Sequence, residues 1–194
     1  EGVGLLKSFC LEHSIRYNEC GKVIVATNGA ELPALQRLHE RGISNGVPSL
    51  RLVDIDELAR LEPHAHGVGA IHSPTTAITD YPAVARKLVE LLRSRGATVR
   101  TGAKVTTINA NQQQILVAGP GFELRTRFLV NCAGLHSDHV ATMTGAEPSV
   151  RIVPFRGEYY KLRPERHDLV RGLIYPVPDP ELPFLGVHFT RMVS

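Results

Sequence analysis

Cysteine is scarce in this sequence, at three of 194 residues. Cys10, Cys20 and Cys132 form no CxxC pair and are odd in number, so a reduced, cytosolic-type compartment is the expectation. Cys10 and Cys20 could be joined only if their backbones approach. Long apolar runs are missing too: none nears the roughly 18 residues needed to cross a bilayer. No basic-then-apolar leader opens the sequence. Concentrated charge is also lacking. The formal charge is +3, but Lys and Arg are scattered, without the basic stripe and interleaved aromatics of a nucleic-acid groove. Such a small cationic excess could help to draw in an acidic metabolite.

Familiar catalytic signatures are absent as well. There is no GxSxG, no HExxH and no Walker loop. Gly2-Val3-Gly4, Gly67-Val68-Gly69 and Gly119-Pro120-Gly121 are incomplete as dinucleotide fingerprints, and none follows a strand and opens a helix. All three read as ordinary turns. His64 and His66 are two apart, and His136 and His139 are three apart on an expected helix, a spacing that could hold a metal. No third ligand is evident, so surface histidines are expected and metal catalysis is not.

What is present is an ordinary globular composition, 43% hydrophobic and 21% charged, enough to bury a core and argue against disorder. The length suits one domain or parts of two. Position 1 is Glu, and EGVGLLKSFCLEH reads as a helix already under way, so an internal piece of a larger protein is expected.

Leu5 to His13 reads as a short helix and Lys22 to Thr27 as a strand. Leu32, Leu35 and Leu38 share a helical face over Glu31 to Arg41, with Gly42 as the stop. Asp54 with Glu57 has capping-box spacing for a second short helix, and Pro63 lies beyond its end. His64 to Thr79 is loop-like with some strand. The strongest helix runs from about Pro82 to Arg95, capped by Thr79 or Asp80 and ended by Gly96. Thr98 to Arg100 reads as a short strand. Lys104 to Ile108, Gln114 to Ala118 and Phe122 to Arg127, separated by tight turns, suggest a β-meander.

Phe128 to Cys132 is almost wholly apolar, as expected of a strand buried on both faces. It ends in the small residues Ala133 and Gly134, which let backbone approach a ligand closely. Ligands of open α/β sheets sit at such strand ends, although from this run alone a plain strand-to-helix turn is the favoured reading. Ser137 or Asp138 could cap the following helix, which ends near Gly145. From Val150 the texture changes to proline-punctuated aromatic segments. Pro154 to Leu162, Leu173 to Val177 and Phe184 to Thr190 read as antiparallel strands of a second domain.

Strand alternation sets Arg156, Glu158 and Tyr160 on one face. Arg156 could serve as a carboxylate fork or as an in-sheet partner of Glu158. His188 shares a face with Gly186 and Thr190, small neighbours that would leave room beside the imidazole. A lone strand histidine is more commonly a core residue than a catalyst.

Together these runs resemble the L-2-hydroxyglutarate dehydrogenase/oxidase family, within the D-amino-acid-oxidase-like flavoproteins. The likeness covers nearly the whole chain. It is sharpest at VPFRGEYYKLRPE (153 to 165) and LIYPVPDPELPFLGVHFTRM (173 to 192), while VNCAGLHSD (130 to 138) is typical of the wider superfamily. The resemblance implies a fold of mixed class. A partial FAD-binding, doubly wound (Rossmann-like) α/β domain with a β-meander would be interleaved with a mixed or antiparallel-sheet α+β substrate domain. Residues 1–79 and 150–194 would belong to the substrate domain, and 80–149 to the FAD domain. Val105 would lie near the adenine, and Cys132, Ala133 and Gly134 would line FAD. The family's glycine-rich loop and its carboxyl-terminal portion are not in this sequence, so the piece is expected to be inactive alone.

The implied reaction is FAD-dependent oxidation of L-2-hydroxyglutarate to 2-oxoglutarate. It needs a proton acceptor, for which histidine is suited because its unperturbed pKa is about 6.5. His188 is assigned as base or hydroxyl-orienting group, Arg156 as carboxylate anchor, and Tyr175 or Arg191 as a second donor. The partners expected are a small dicarboxylate and an electron acceptor the sequence leaves unnamed, with no nucleic acid. A cytoplasmic place, or a peripheral one on the inner membrane, is expected. Oxidation of an amine or glycerol 3-phosphate, or a non-catalytic binding domain, are the alternatives.

Overall fold

The computed structural model describes residues 2–111, 113–179, 181 and 186–193. It divides into two compact units, Glu1–Leu91 with Lys161–Ser194, and Leu92–Tyr160.

In the first unit, α1 (Gly2–Glu12) leads into β1 (Tyr17–Asn18) and β2 (Lys22–Ala26). A 3-10 turn then opens α2 (Leu32–Ser44), followed by β3 (Arg51–Val53), α3 (Ile55–Leu61), β4 (Gly69–Ser73), β5 (Ile78–Thr79) and α4 (Tyr81–Ser94). The sequence reading is right about the two capped helices. Asp54 Oδ1 accepts the Glu57 N–H at 2.8 Å, and Asp80 Oδ1 accepts the Ala83 N–H at 2.9 Å, each satisfying an otherwise orphaned helix donor. Gly42, by contrast, does not stop α2. The helix continues to Ser44, and Gly46, with φ +71°, takes the left-handed turn beyond it.

Four strands make the main sheet in the order β3-β4-β2-β9, where β9 is Leu173–Pro176. The region expected to be mostly loop thus supplies β4, an inner strand. Its Ala70 and Ile71 are fully buried. β9 runs parallel to β2, Lys22 beside Leu173 and Ile24 beside Tyr175, a pairing the sequence reading did not anticipate. Alternation along β2 explains the core. Val23 and Val25 pack with Val53, Ala70 and Leu58 of α3, whereas Ala26 packs with Ile71 and Leu35 of α2. A helix on each face makes β2 apolar from Val23 to Ala26. Of the strand expected at Phe184 to Thr190, residues 184 and 185 lie outside the described residues. Phe189 makes an antiparallel bridge to Ile174, with N–H···O distances of 3.1 and 2.9 Å.

In the second unit, the expected meander is present as β6 (Thr107–Ala110), β7 (Ile115–Gly119) and β8 (Phe122–Thr126), antiparallel in that order. A short 3-10 turn, Gly134–His136, precedes α5 (Ser137–Met143). Four expectations fail here. No strand forms over residues 98–100 or 128–132, and Phe128 and Val130 are 82% and 81% exposed. A strand buried on both faces needs a neighbour on each side, and none of the described residues pairs with this run. Residues 154–162 likewise form no strand and are exposed, Tyr160 by 97%. Neither Ser137 nor Asp138 caps α5, since its N-cap is His136, without a side-chain bond. Asp138 instead accepts the N–H groups of His139 and Ile152, the bond from Ile152 doing most to hold its carboxyl below the usual carboxylate range.

Candidate active site

The bridge between Ile174 and Phe189 sets the register of the best-formed polar cluster. With those two residues opposed, His188 falls opposite Tyr175 on the other face of the strand pair. Their rings meet at 4.8 Å between centroids, tilted by 52°, within the range of favourable aromatic pairs. His188 Nδ1 lies 2.9 Å from the Gly186 carbonyl oxygen. A carbonyl only accepts, so Nδ1 carries the hydrogen, and the neutral ring presents a lone pair at Nε2. That is the atom a proton acceptor needs.

Lys22 completes the cluster, its Nζ 5.3 Å from the Tyr175 ring centroid. The chain places it there because it opens β2, beside the first residue of β9. Burial pushes its ammonium below the usual lysine range. Sequence reasoning passed over Lys22 as the polar start of a strand. The available signal was a lone cation leading a fully apolar run.

Arg191 lies in the same unit. It donates through Nη1 to the Arg171 carbonyl at 2.8 Å and lines a cavity of about 210 Å³ with Arg16, Tyr17, Asn18, Met192 and Val193. Beneath this part of the fold Glu62, only 3% exposed, accepts the N–H groups of Arg171 and Gly172 at 3.0 and 2.6 Å. That buried carboxylate was also missed, being visible in sequence only as the residue before Pro63.

The remaining expected site residues belong to the second unit. Arg156 is exposed and sits 3.8 Å from Glu158. Val105 is partly buried just ahead of β6. Cys132 and Gly134 are exposed and Ala133 partly so. The bend is held by Asn131, whose Oδ1 accepts the Ala133 N–H at 3.2 Å and whose Nδ2 donates to the Ser137 carbonyl at 2.8 Å. Gly134 has φ +55°, and a Cβ built there would meet nothing within 4 Å. Small side chains, a pinned backbone and open space fit the close approach of a flat cofactor. Elsewhere, the His136 and His139 rings stand edge to face at 6.3 Å. Among the described residues no three His, Cys, Asp or Glu side chains converge as a metal site. Nor is any described helix long and apolar enough to cross a membrane.

The chain is 47% identical over its whole length to L-2-hydroxyglutarate dehydrogenase of Indibacter alkaliphilus, covering 49% of that protein. It is 42% identical over 98% of its length to the human mitochondrial L-2-hydroxyglutarate dehydrogenase, covering 44% of it. The chain thus spans about half the length of these curated relatives. Among solved structures it superposes on L-proline dehydrogenase from P. horikoshii with a TM-score of 0.75 at 16% identity, over 90% of this chain and 47% of that one. That likeness bears out the mixed fold class. The family model for FAD dependent oxidoreductases (DAO) matches residues 1–194. The chain belongs to the FAD dependent oxidoreductase (DAO) family.

Proposed function

We propose that the full-length protein oxidises L-2-hydroxyglutarate to 2-oxoglutarate with FAD. The observation that carries this reading is the His188 imidazole, oriented through Nδ1 by the Gly186 carbonyl and packed on Tyr175. The two relatives named above support the choice of substrate.

Oxidation of a 2-hydroxy acid removes a hydride from the α-carbon and a proton from the hydroxyl. FAD, when bound, accepts the hydride. His188 Nε2 takes the proton, its lone pair held ready by the bond at Nδ1. Tyr175 confines the ring to one orientation. Arg156 and Arg191 are the candidate anchors of substrate carboxylate, each offering a planar fork of donors. Val105 and the Cys132–Gly134 bend would hold FAD. In this reading residues 1–79 and 150–194 serve the substrate and 80–149 the cofactor. The partner is a small dicarboxylate.

The test is reduction of bound flavin in the full-length protein by a panel of L-2-hydroxyglutarate, glycerol 3-phosphate and secondary amines. Bleaching of the visible flavin band by the hydroxy diacid is expected, and His188→Ala should lower kcat by about 100- to 10,000-fold. Preference for an amine or for glycerol 3-phosphate would overturn the substrate, and an unchanged kcat would remove His188 as the base.

A further inference from the structure

Lys22 is half-buried, yet no carboxylate among the described residues reaches ion-pair distance of its Nζ. Its cross-strand neighbours are Ser73 on β4 and Leu173 on β9, neither charged. The Ser73 hydroxyl is already engaged by the Thr76 hydroxyl at 3.0 Å. Among the described residues the cation's partner is the face of Tyr175, which satisfies none of the three ammonium N–H donors as a carboxylate would. Taking a cation out of water is costly unless an anion compensates it. A carboxylate bound beside Nζ would supply that compensation.

The strand order β2, β9, Phe189 sets Tyr175 between Lys22 and His188. Nζ is 5.3 Å from the Tyr175 centroid, which is 4.8 Å from the His188 centroid. Lysine and imidazole are thus no farther apart than those two distances laid end to end. A five-carbon hydroxy diacid with a hydrogen bond at each end spans about 10 Å. That upper limit admits such a ligand. The Tyr175 ring, between the polar ends, is an apolar floor for the methylenes that join a hydroxyl-bearing carbon to a remote carboxylate.

We infer that Lys22 anchors the carboxylate remote from the oxidised carbon, and so selects a dicarboxylic over a monocarboxylic 2-hydroxy acid. This rests on the reading of His188 as proton acceptor. Lys22 binds and takes no part in the chemical step, so its loss acts on affinity for one end of the ligand.

The experiment uses the full-length flavin-loaded protein and two product probes. These are 2-oxoglutarate and 2-oxovalerate, which carries a methyl group in place of the distal carboxylate. Binding is read from perturbation of the flavin spectrum, and KM and kcat are measured for the corresponding L-2-hydroxy acids. Lys22→Met should weaken 2-oxoglutarate about 10- to 100-fold, the range of a charge-assisted hydrogen bond, while 2-oxovalerate changes less than about threefold. Lys22→Arg should recover most of the loss, and Lys22→Gln serves in place of Lys22→Met should that variant fail to load flavin. Equal weakening of both probes, or of neither, overturns the assignment of Lys22 and leaves the proposed function standing. If the unaltered protein binds neither 2-oxo acid and no 2-hydroxy acid bleaches its flavin, the proposed function falls and Lys22 falls with it.

Discussion

The carboxylate of Glu62 accepts the backbone N–H of Gly172 at 2.6 Å, joining residues 110 positions apart in sequence. Its second oxygen takes the Arg171 N–H. Glu62 follows α3, and Gly172 immediately precedes β9, so this bond fixes where β9 enters the sheet. Tyr175 lies three residues farther on. Removing the carboxylate would strand two N–H donors, one of them buried, at a cost of about 1–3 kcal/mol for an unsatisfied group. Glu62→Ala should therefore lower the urea midpoint by the equivalent of about 1–3 kcal/mol at unchanged slope. A midpoint within experimental scatter of the parent would show the link to be idle.

Gly172 itself admits no side chain. A Cβ there would sit 2.6 Å from the Cys20 carbonyl oxygen and 2.9 Å from that of Gly21, both backbone atoms that cannot swing aside. Gly172→Ala must push β9 away from the start of β2, where the Gly21 carbonyl accepts the Leu173 N–H at 3.1 Å. Destabilisation of about 1–3 kcal/mol is expected, as for other overpacked sites. Gly29→Ala, where a Cβ meets nothing within 4 Å, is the control. Equal midpoints for the two variants would contradict the close approach.

These contacts also mark where the sequence was legible. Asp54 and Asp80 announced their helices because a cap is a local event, decided within four residues. The meander could be read from its turns for the same reason. Phe128–Cys132 was misread because apolarity reports that a segment suits burial, not that a partner strand lies beside it. β4 was obscured by glycine and histidine, whose burial depends on strands distant in sequence. The pairing of β9 with β2 spans some 150 positions, beyond any periodicity. His188 was proposed through a family resemblance, whereas Lys22 needed the register that sets it beside Tyr175.

Tyr175 offers a test that separates packing from donation. Among the described residues its hydroxyl has no hydrogen-bond partner, so it is available to a ligand. Tyr175→Phe keeps the ring against His188 and should raise KM for the hydroxy diacid severalfold while leaving kcat within about threefold, the pattern of lost uniform binding. Tyr175→Ala also frees the imidazole from a contact of about 0.5–1.5 kcal/mol and should lower kcat as well. Identical kinetics for the two variants would deny the ring any orienting part.

His72, on β4, gives the sheet a pH dependence whose sign can be worked out. Its Nδ1 lies 3.2 Å from Arg51 Nη2, and a guanidinium only donates, so Nδ1 must keep its lone pair. Burial and then the Arg51 charge push the imidazole below its ordinary value of 6.5. In the unfolded chain the ring titrates near 6.5, so on mild acidification the unfolded state takes up the proton first. The stabilising contribution is therefore whole above about pH 6.5 and fades as pH falls towards the folded-state value. His72→Gln supplies an amide oxygen that accepts the same N–H without titrating. Unfolding midpoints followed from pH 8 to pH 5 should fall less steeply in His72→Gln than in the parent, with the two curves separating only on the acid side. Curves that run parallel throughout would show that the Arg51–His72 contact does not govern the protonation of this ring.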